Sequence, residues 1–187
     1  MAILYWYALF VESGQEEVVQ KFLNLYFDET SLHSVVPKRR VPEKKAGAVK
    51  HVLKKMFPGY VLIKTRMTDE VFHTLKKVPK CYKLLSQGTV YSKDEGTYYS
   101  KIDEREMSLI LQLIGDGEIV GYSGIYIENS RISVTSGPLQ GMEGIITKID
   151  RHKKRAKIHL NFMGAERIID VGVEILSPCI PQLQKAT

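Results

Sequence analysis

Five full positive charges fall within the seven residues Arg151-His152-Lys153-Lys154-Arg155-Ala156-Lys157. Cations at that density suit one chemistry above others, the holding of a polyanion. Lysine and arginine neutralise phosphates and release counterions, so such binding weakens steeply with salt. Lys148, Lys157 and Arg167 carry the charge onto neighbouring outward positions. Five or six contacts would give a log–log salt slope of about −4 to −5. Charge alone binds weakly and indiscriminately. Specificity needs a shaped partner such as an RNA hairpin, whose grooves and splayed loop bases can be read. The plainer alternative is a solvated turn. Against it, only Asp150 interleaves these cations along the chain, so an unoccupied face would repel itself.

A second basic stretch, Lys38 to Lys55, sets eight cations against the single acid Glu43. It contains Val41-Pro42-Glu43 and Ala46-Gly47-Ala48 and reads as an extended or hairpin excursion, either a solubilising loop or a segment near nucleic acid. Other chemistries find little support. His33, His51, His73, His152 and His159 lack the spacing of metal ligands, and no phosphate loop, nucleophile elbow or dinucleotide fingerprint occurs. Ser136-Gly137-Pro138 is turn chemistry. No catalytic residue, metal or cofactor is expected, and the chain does not read as an enzyme.

Tyr5, Trp6, Tyr7, Phe10, Phe57, Tyr60, Leu62, Phe72 and Tyr82 form an apolar set that is mostly core by default. Alternate positions on the first and third strands nevertheless point away from the helices. An aromatic open sheet face is an exposed apolar patch, the mark of a protein-binding site. Fully desolvated anchors in such sites contribute typically about 2 kcal/mol or more each.

Periodicity predicts the elements that position these residues. Leu4 to Val11 is a continuous apolar run suited to a strand buried on both faces. Ser13-Gly14-Gln15-Glu16 has the spacing of a capping box, and Val18, Val19, Phe22, Leu23 and Tyr26 recur at helical spacing. Strands are expected over 32–36 and 56–65. A helix follows Thr68, with Asp69 and Glu70 in its first turn and Val71, Phe72, Leu75 and Val78 on its buried stripe. A weak strand over 81–85 and a helix over 103–114, stopped by Gly115, complete a sheet with helices packed on it. Further on, residues 131–134, 145–149, 156–162, 168–171 and 173–176 read as five short strands. Ala156, Ile158, Leu160 and Phe162 alternate strictly with Lys157, His159 and Asn161. Five such strands make a small closed barrel.

The 187 residues are 44% hydrophobic and 26% charged, ordinary for a globular chain. The net charge of +6 is divided as +5 over 1–115, −2 over 116–131 and +3 over 132–187. Two basic units on a slightly acidic connector are therefore expected: 1–115, a linker over 116–130, and 131–181. Cys81 and Cys179 lie far apart with no C-x-x-C pairing, which favours reduced thiols in a cytoplasmic protein. No apolar run approaches the roughly 18 residues of a membrane span, so no membrane association is expected. The start of the chain lacks the cationic lead of a signal peptide.

Trp6-Tyr7, Phe57-Pro58-Gly59-Tyr60-Val61-Leu62, and Val134-Thr135-Ser136-Gly137-Pro138-Leu139 through Gly141 and Gly144 occur in an order and separation that resemble the NusG family of transcription elongation factors. The likeness covers nearly the whole chain. It implies an α+β fold: an N-terminal NGN domain, mainly antiparallel sheet flanked by helices, and a C-terminal KOW domain, a small SH3-like five-stranded β-barrel. It implies that the NGN domain grips the clamp helices of bacterial RNA polymerase through Phe10, Tyr60 and Leu62, joined by Phe57 and Tyr82. His73-Thr74 matches the segment by which a related specialised factor touches the polymerase lobe opposite the clamp. Bridging both sides would hold the clamp closed and suppress pausing.

Pro37 to Glu43 and the Arg151 to Lys157 run resemble the specialised LoaP branch. That likeness implies a processive antiterminator of long operons, recruited by a leader RNA hairpin through Lys148, Arg151, His152, Lys153, Lys154, Arg155, Lys157 and Arg167. Two other readings stay open. In a housekeeping NusG the barrel would bind Rho or a small-subunit ribosomal protein through the strand end near Phe162. A KOW-bearing protein of the translation machinery is the other, and the complete NGN-like half stands against it.

Overall fold

The computed structural model describes residues 3–85, 91–92, 97–129 and 131–176. Its strands are β1 (Tyr5–Val11), β2 (Leu32–Val35), β3 (Lys38–Lys45), β4 (Ala48–Lys55), β5 (Tyr60–Thr65), β6 (Cys81–Leu84), β7 (Tyr91–Ser92), β8 (Thr97–Tyr98), β9 (Ile119–Val120), β10 (Ser123–Glu128), β11 (Arg131–Ser136), β12 (Ile146–Asp150), β13 (Arg155–Phe162) and β14 (Ala165–Leu176). The helices are α1 (Glu16–Tyr26), α2 (Asp69–Leu75) and α3 (Glu104–Ile114).

An antiparallel sheet in the order β2-β5-β1-β6 forms the N-terminal half. Tyr7 lies opposite Ile63 and Leu9 opposite Val61. With Val11 these side chains are buried against Val19 and Leu23 of α1 and Leu75 of α2. Alternation sends Trp6, Ala8 and Phe10, paired with Lys64, Leu62 and Tyr60, to the reverse face. There Ala8 and Leu62 share a core with Met107, Ile110, Leu113 and Ile114 of α3 and with the C-terminal strands. Two helices begin where expected and are capped by side chains. Thr68 Oγ1 accepts from Val71 N at 3.3 Å, and Asp103 Oδ1 from Arg105 N at 2.8 Å.

At α1 the expected capping box does not form: Gln15 is the cap and its side chain makes no cap hydrogen bond. Glu16 is instead fully buried. Its carboxylate accepts from Gly59 N at 2.7 Å and Gly14 N at 3.2 Å, and pairs with Lys55 at 2.7 Å. It thereby pins the end of β4 and the Phe57-Pro58-Gly59-Tyr60 turn, where Gly59 has φ +84°, to the start of a helix. Burial alone would push this carboxyl up, but Lys55 and the backbone N–H groups of Gly59, Glu16 and Gly14 outweigh it and leave it below its ordinary value. The unfolded chain therefore binds a proton first on acidification. The contribution of Glu16 is whole at neutral pH and is lost as pH falls through and below the carboxylate range. Glu16→Ala is expected to cost about 3 kcal/mol by leaving Lys55 and Gly59 N uncompensated, read as a lower urea midpoint at pH 7. An unchanged midpoint would refute that role.

The basic stretch from Lys38 to Lys55 is a β-hairpin in continuous register from Lys38↔Lys55 to Lys45↔Ala48. Ala46 and Gly47, at φ +50° and +82°, form its turn.

In the C-terminal half the sheet order is β11-β10-β14-β13-β12, and the sheet curls into a half-barrel. The two last expected strands are one: β14 pairs antiparallel with β13 up to Gly172, then in parallel with β10 from Val173. Gly172 sits at that change of partner, where a Cβ would come within 2.5 Å of the Tyr122 ring and 2.6 Å of Arg40 O. The fifth strand is β10, which lies in the stretch expected as linker and buries Ile125 completely. Also inside that stretch, β9 pairs in parallel with β3. The short alternation of β10 is masked by acidic neighbours on both sides. Cys179 and the expected end of the barrel at 181 lie outside the described residues. Burial pushes the Cys81 thiol up to about 11. No helix among the described residues is long and apolar enough to cross a membrane.

Candidate functional site

Sheet alternation and the Phe57 to Tyr60 turn bring four of the expected aromatic anchors together. The Phe10 ring lies 5.6 Å from Tyr60 and 5.6 Å from Tyr82, and Tyr82 is 61% exposed. Leu62 and Phe57 are buried. His73 and Thr74 are not part of this cluster: they sit on α2, whose Phe72 and Leu75 are buried, and the His73 ring contacts Phe72.

The face expected to be open is partly covered. Phe162, at the end of β13, stacks on Phe57 with centroids 4.2 Å apart and rings inclined by 20°. It also meets Tyr60 edge-on at 5.5 Å. The aromatic surface of the sheet and the end of β13 thus bury one another. Periodicity marks Phe162 as apolar but cannot say that its partner is Phe57, about a hundred residues away.

Polar contacts fasten the same junction. Glu106, in the first turn of α3, accepts from Met163 N at 2.9 Å and Gly164 N at 3.3 Å. Arg39 donates to Asp170 O. Arg155 donates to Pro42 O, with Nε at 3.1 Å, and lies 3.7 Å from both Glu43 and Asp170. Nothing in the local sequence marks Glu106 or Asp170 for this junction, and Arg39 stands out only as one cation of a basic stretch. A signal existed only for β3, where the apolar pair Val41-Pro42 interrupts a basic strand.

The basic turn joins β12 to β13. Asp150 Oδ1 accepts from Lys153 N at 2.8 Å, and that bond holds the Asp150 carboxyl below its ordinary value. Lys154 adopts φ +50° to close the turn. Lys148 and Lys157 are register partners. The cations are not equally free. Lys157 pairs with Asp170 at 3.0 Å and Arg155 is drawn into the junction, so Asp170 supplies the second acid that a linear reading misses. His159 lies 3.6 Å from Glu166, and Arg167 is exposed on β14, paired in register with Leu160. Arg151, His152, Lys153 and Lys154 are all exposed. Among the described residues none of the four has a carboxylate within 4.0 Å, nor do Lys148 and Arg167. No group of His, Cys, Asp and Glu among the described residues could hold a metal ion.

Comparison with known proteins agrees with this architecture. The profile of the family described as "Transcription termination factor nusG" matches residues 4–111. The chain is 27% identical over 171 residues to the transcription termination/antitermination protein NusG of Halalkalibacterium halodurans, covering 89% of this chain and 93% of that one. It is 29% identical to the protein of the same name from Haemophilus influenzae, over 85% of each, and 28% identical to that of Bacillus subtilis, over 89% and 93%. Among solved structures, one titled "Domain interaction in Thermotoga maritima NusG" shares the fold with a TM-score of 0.58 at 23% identity, covering 91% of this chain and 94% of that one.

Proposed function

The chain belongs to the NusG family of transcription termination and antitermination factors, which interact with RNA polymerase, and on that premise we propose that it is a LoaP-like antiterminator recruited by a structured leader RNA. In this reading an NGN unit within 1–115 binds the polymerase clamp helices through Phe10, Tyr60, Tyr82, Phe57 and Leu62, with His73 and Thr74 reaching the opposite lobe. A KOW unit, whose described strands begin at β10, holds the RNA. The protein acts in the cytoplasm as a non-catalytic adaptor.

The observation that carries the RNA part is the β12–β13 turn, where Arg151, Lys153 and Lys154 stand exposed without a carboxylate within 4.0 Å among the described residues. Three such cations beside Lys148 make a phosphate-binding edge, and the discrimination comes from the shape of a folded RNA. For the polymerase to reach Phe57 and Tyr60, Phe162 must leave them. The bound state is therefore one in which the barrel has moved off the sheet.

Electrophoretic mobility shift against a pool of structured leader RNAs at two salt concentrations tests the reading. Selection of one hairpin, with a log–log salt slope of about −3 or steeper, is the expected result. Capture of Rho or of a small-subunit ribosomal protein with no preference among RNAs would replace it with the coupling role of a housekeeping NusG.

A further inference from the structure

The hairpin β3–β4 carries four exposed cations, Arg40, Lys44, Lys45 and Lys50, that have no carboxylate within 4.0 Å among the described residues. Its other cations are engaged: Lys38 with Glu17, Lys55 with Glu16 and Glu17, Lys54 with Glu43, and Arg39 with Asp170 O. Three of the four free charges, Lys44, Lys45 and Lys50, thus lie toward the tip. The strand that leads to the tip packs against the barrel. Arg155 donates to Pro42 O, and the backbone of Arg40 approaches Gly172 so closely that a Cβ there would sit 2.6 Å from Arg40 O.

Both cationic stretches therefore start from one point. Arg151 to Lys154 lead directly into Arg155. Lys44 and Lys45 follow directly on Pro42 and Glu43, and Lys50 is the register partner of Glu43. At about 3.3 Å per strand residue, Lys45 lies only about 10 Å beyond Pro42. The acids at this meeting point are already occupied. Glu43 is held by Lys54 and Arg155, Asp170 by Arg155 and Lys157, and Asp150 by the Lys153 backbone.

We infer that the hairpin tip and the β12–β13 turn form one composite RNA-binding surface, assembled while the barrel rests on the sheet, with Arg155 as its hinge point. The inference rests on the RNA reading above and goes beyond it by giving the N-terminal half a share of the RNA. Two cationic elements that meet at Arg155 and Pro42 offer more phosphate contacts to a folded stem than a single turn does. The consequence is a loading order. RNA captures the closed chain beside the transcribing polymerase and raises its effective concentration there. Displacement of Phe162 by the polymerase then separates the two halves of the RNA site and weakens the hold on the transcript.

The test uses the full chain and a fluorescein-labelled RNA stem-loop, titrated by anisotropy across a salt series. The variants are Lys44→Gln/Lys45→Gln/Lys50→Gln in the hairpin and Arg151→Gln/Lys153→Gln/Lys154→Gln in the turn. All six positions are exposed, and circular dichroism checks that both variants fold. Each triple variant is expected to lose at least tenfold in affinity and to flatten the log–log slope by about 2, three contacts at roughly 0.7 each. If the hairpin variant binds as the parent does while the turn variant loses affinity, the composite surface is overturned and the barrel alone reads RNA. A DNA stem-loop of the same sequence is titrated in the same way; if it binds equally well, or if neither variant differs from the parent, the RNA assignment itself falls.

Discussion

Replacing Phe10 and Tyr60 together with alanine is expected to weaken binding of the full chain to core RNA polymerase by about 4 kcal/mol, roughly a thousandfold. The two rings touch each other, and Phe10 also touches the exposed ring of Tyr82. A clamp helix laid across them would desolvate a continuous aromatic surface. Phe10 is the cleaner of the two probes. Tyr60 also meets Phe162, so its removal loosens the resting barrel and returns part of the lost affinity, whereas among the described residues no ring contact joins Phe10 to the barrel. Phe10→Ala alone should therefore lose the greater share of the pair's effect. The measurement is a titration of labelled chain with polymerase, with thermal unfolding followed in parallel. Parent-like affinity in the double variant would remove the sheet face from the polymerase contact.

Reversing charge at Arg151, Lys153 and Lys154 is expected to abolish binding to the selected RNA hairpin while leaving polymerase affinity within a factor of two or so. Each reversal removes a phosphate contact and adds a repulsion, so the change should exceed about two orders of magnitude at low salt and shrink as salt rises. Arg155 is best left out of this set. It is bonded to Pro42 O and lies close to Glu43 and Asp170, and its reversal would disturb the junction between barrel and sheet as well as the RNA edge. Equal loss of RNA and polymerase binding in the triple variant would contradict the separation of the RNA-binding cations from the aromatic polymerase face.

Much of the architecture was legible because it is local. The strand at Tyr5–Val11, the Thr68 and Asp103 helix starts, the Gly115 stop and the alternation of Ala156 to Phe162 all follow from periodicity and from end signals within a few residues. Where a local signal met a distant competitor, the distant one prevailed. Glu16 has the spacing of a capping residue, yet the N–H of Gly59 and the ammonium of Lys55 offered it a buried, better compensated place. The stretch after Gly115 looked like a connector because its acidic residues break up a short pattern. β10 is a strand only because β14 and β11 flank it with hydrogen-bonding edges.

By itself, then, the order of residues determined that this chain would build a helix-flanked sheet and a small strand-rich second half, that aromatic side chains would lie on one sheet face, and that two dense cationic stretches would reach the surface. These depend on side-chain type and on spacing within one element. Only the tertiary structure decided which aromatics are covered, with Phe162 seated on Phe57. It also decided which cations are free, with Asp170 holding Lys157 and with Arg155 turned toward the hairpin, and that the two basic stretches meet. The physical reason is that pairing between distant segments is set by register and packing, where a shift of one residue turns every side chain to the other face, and neither is written in any local pattern.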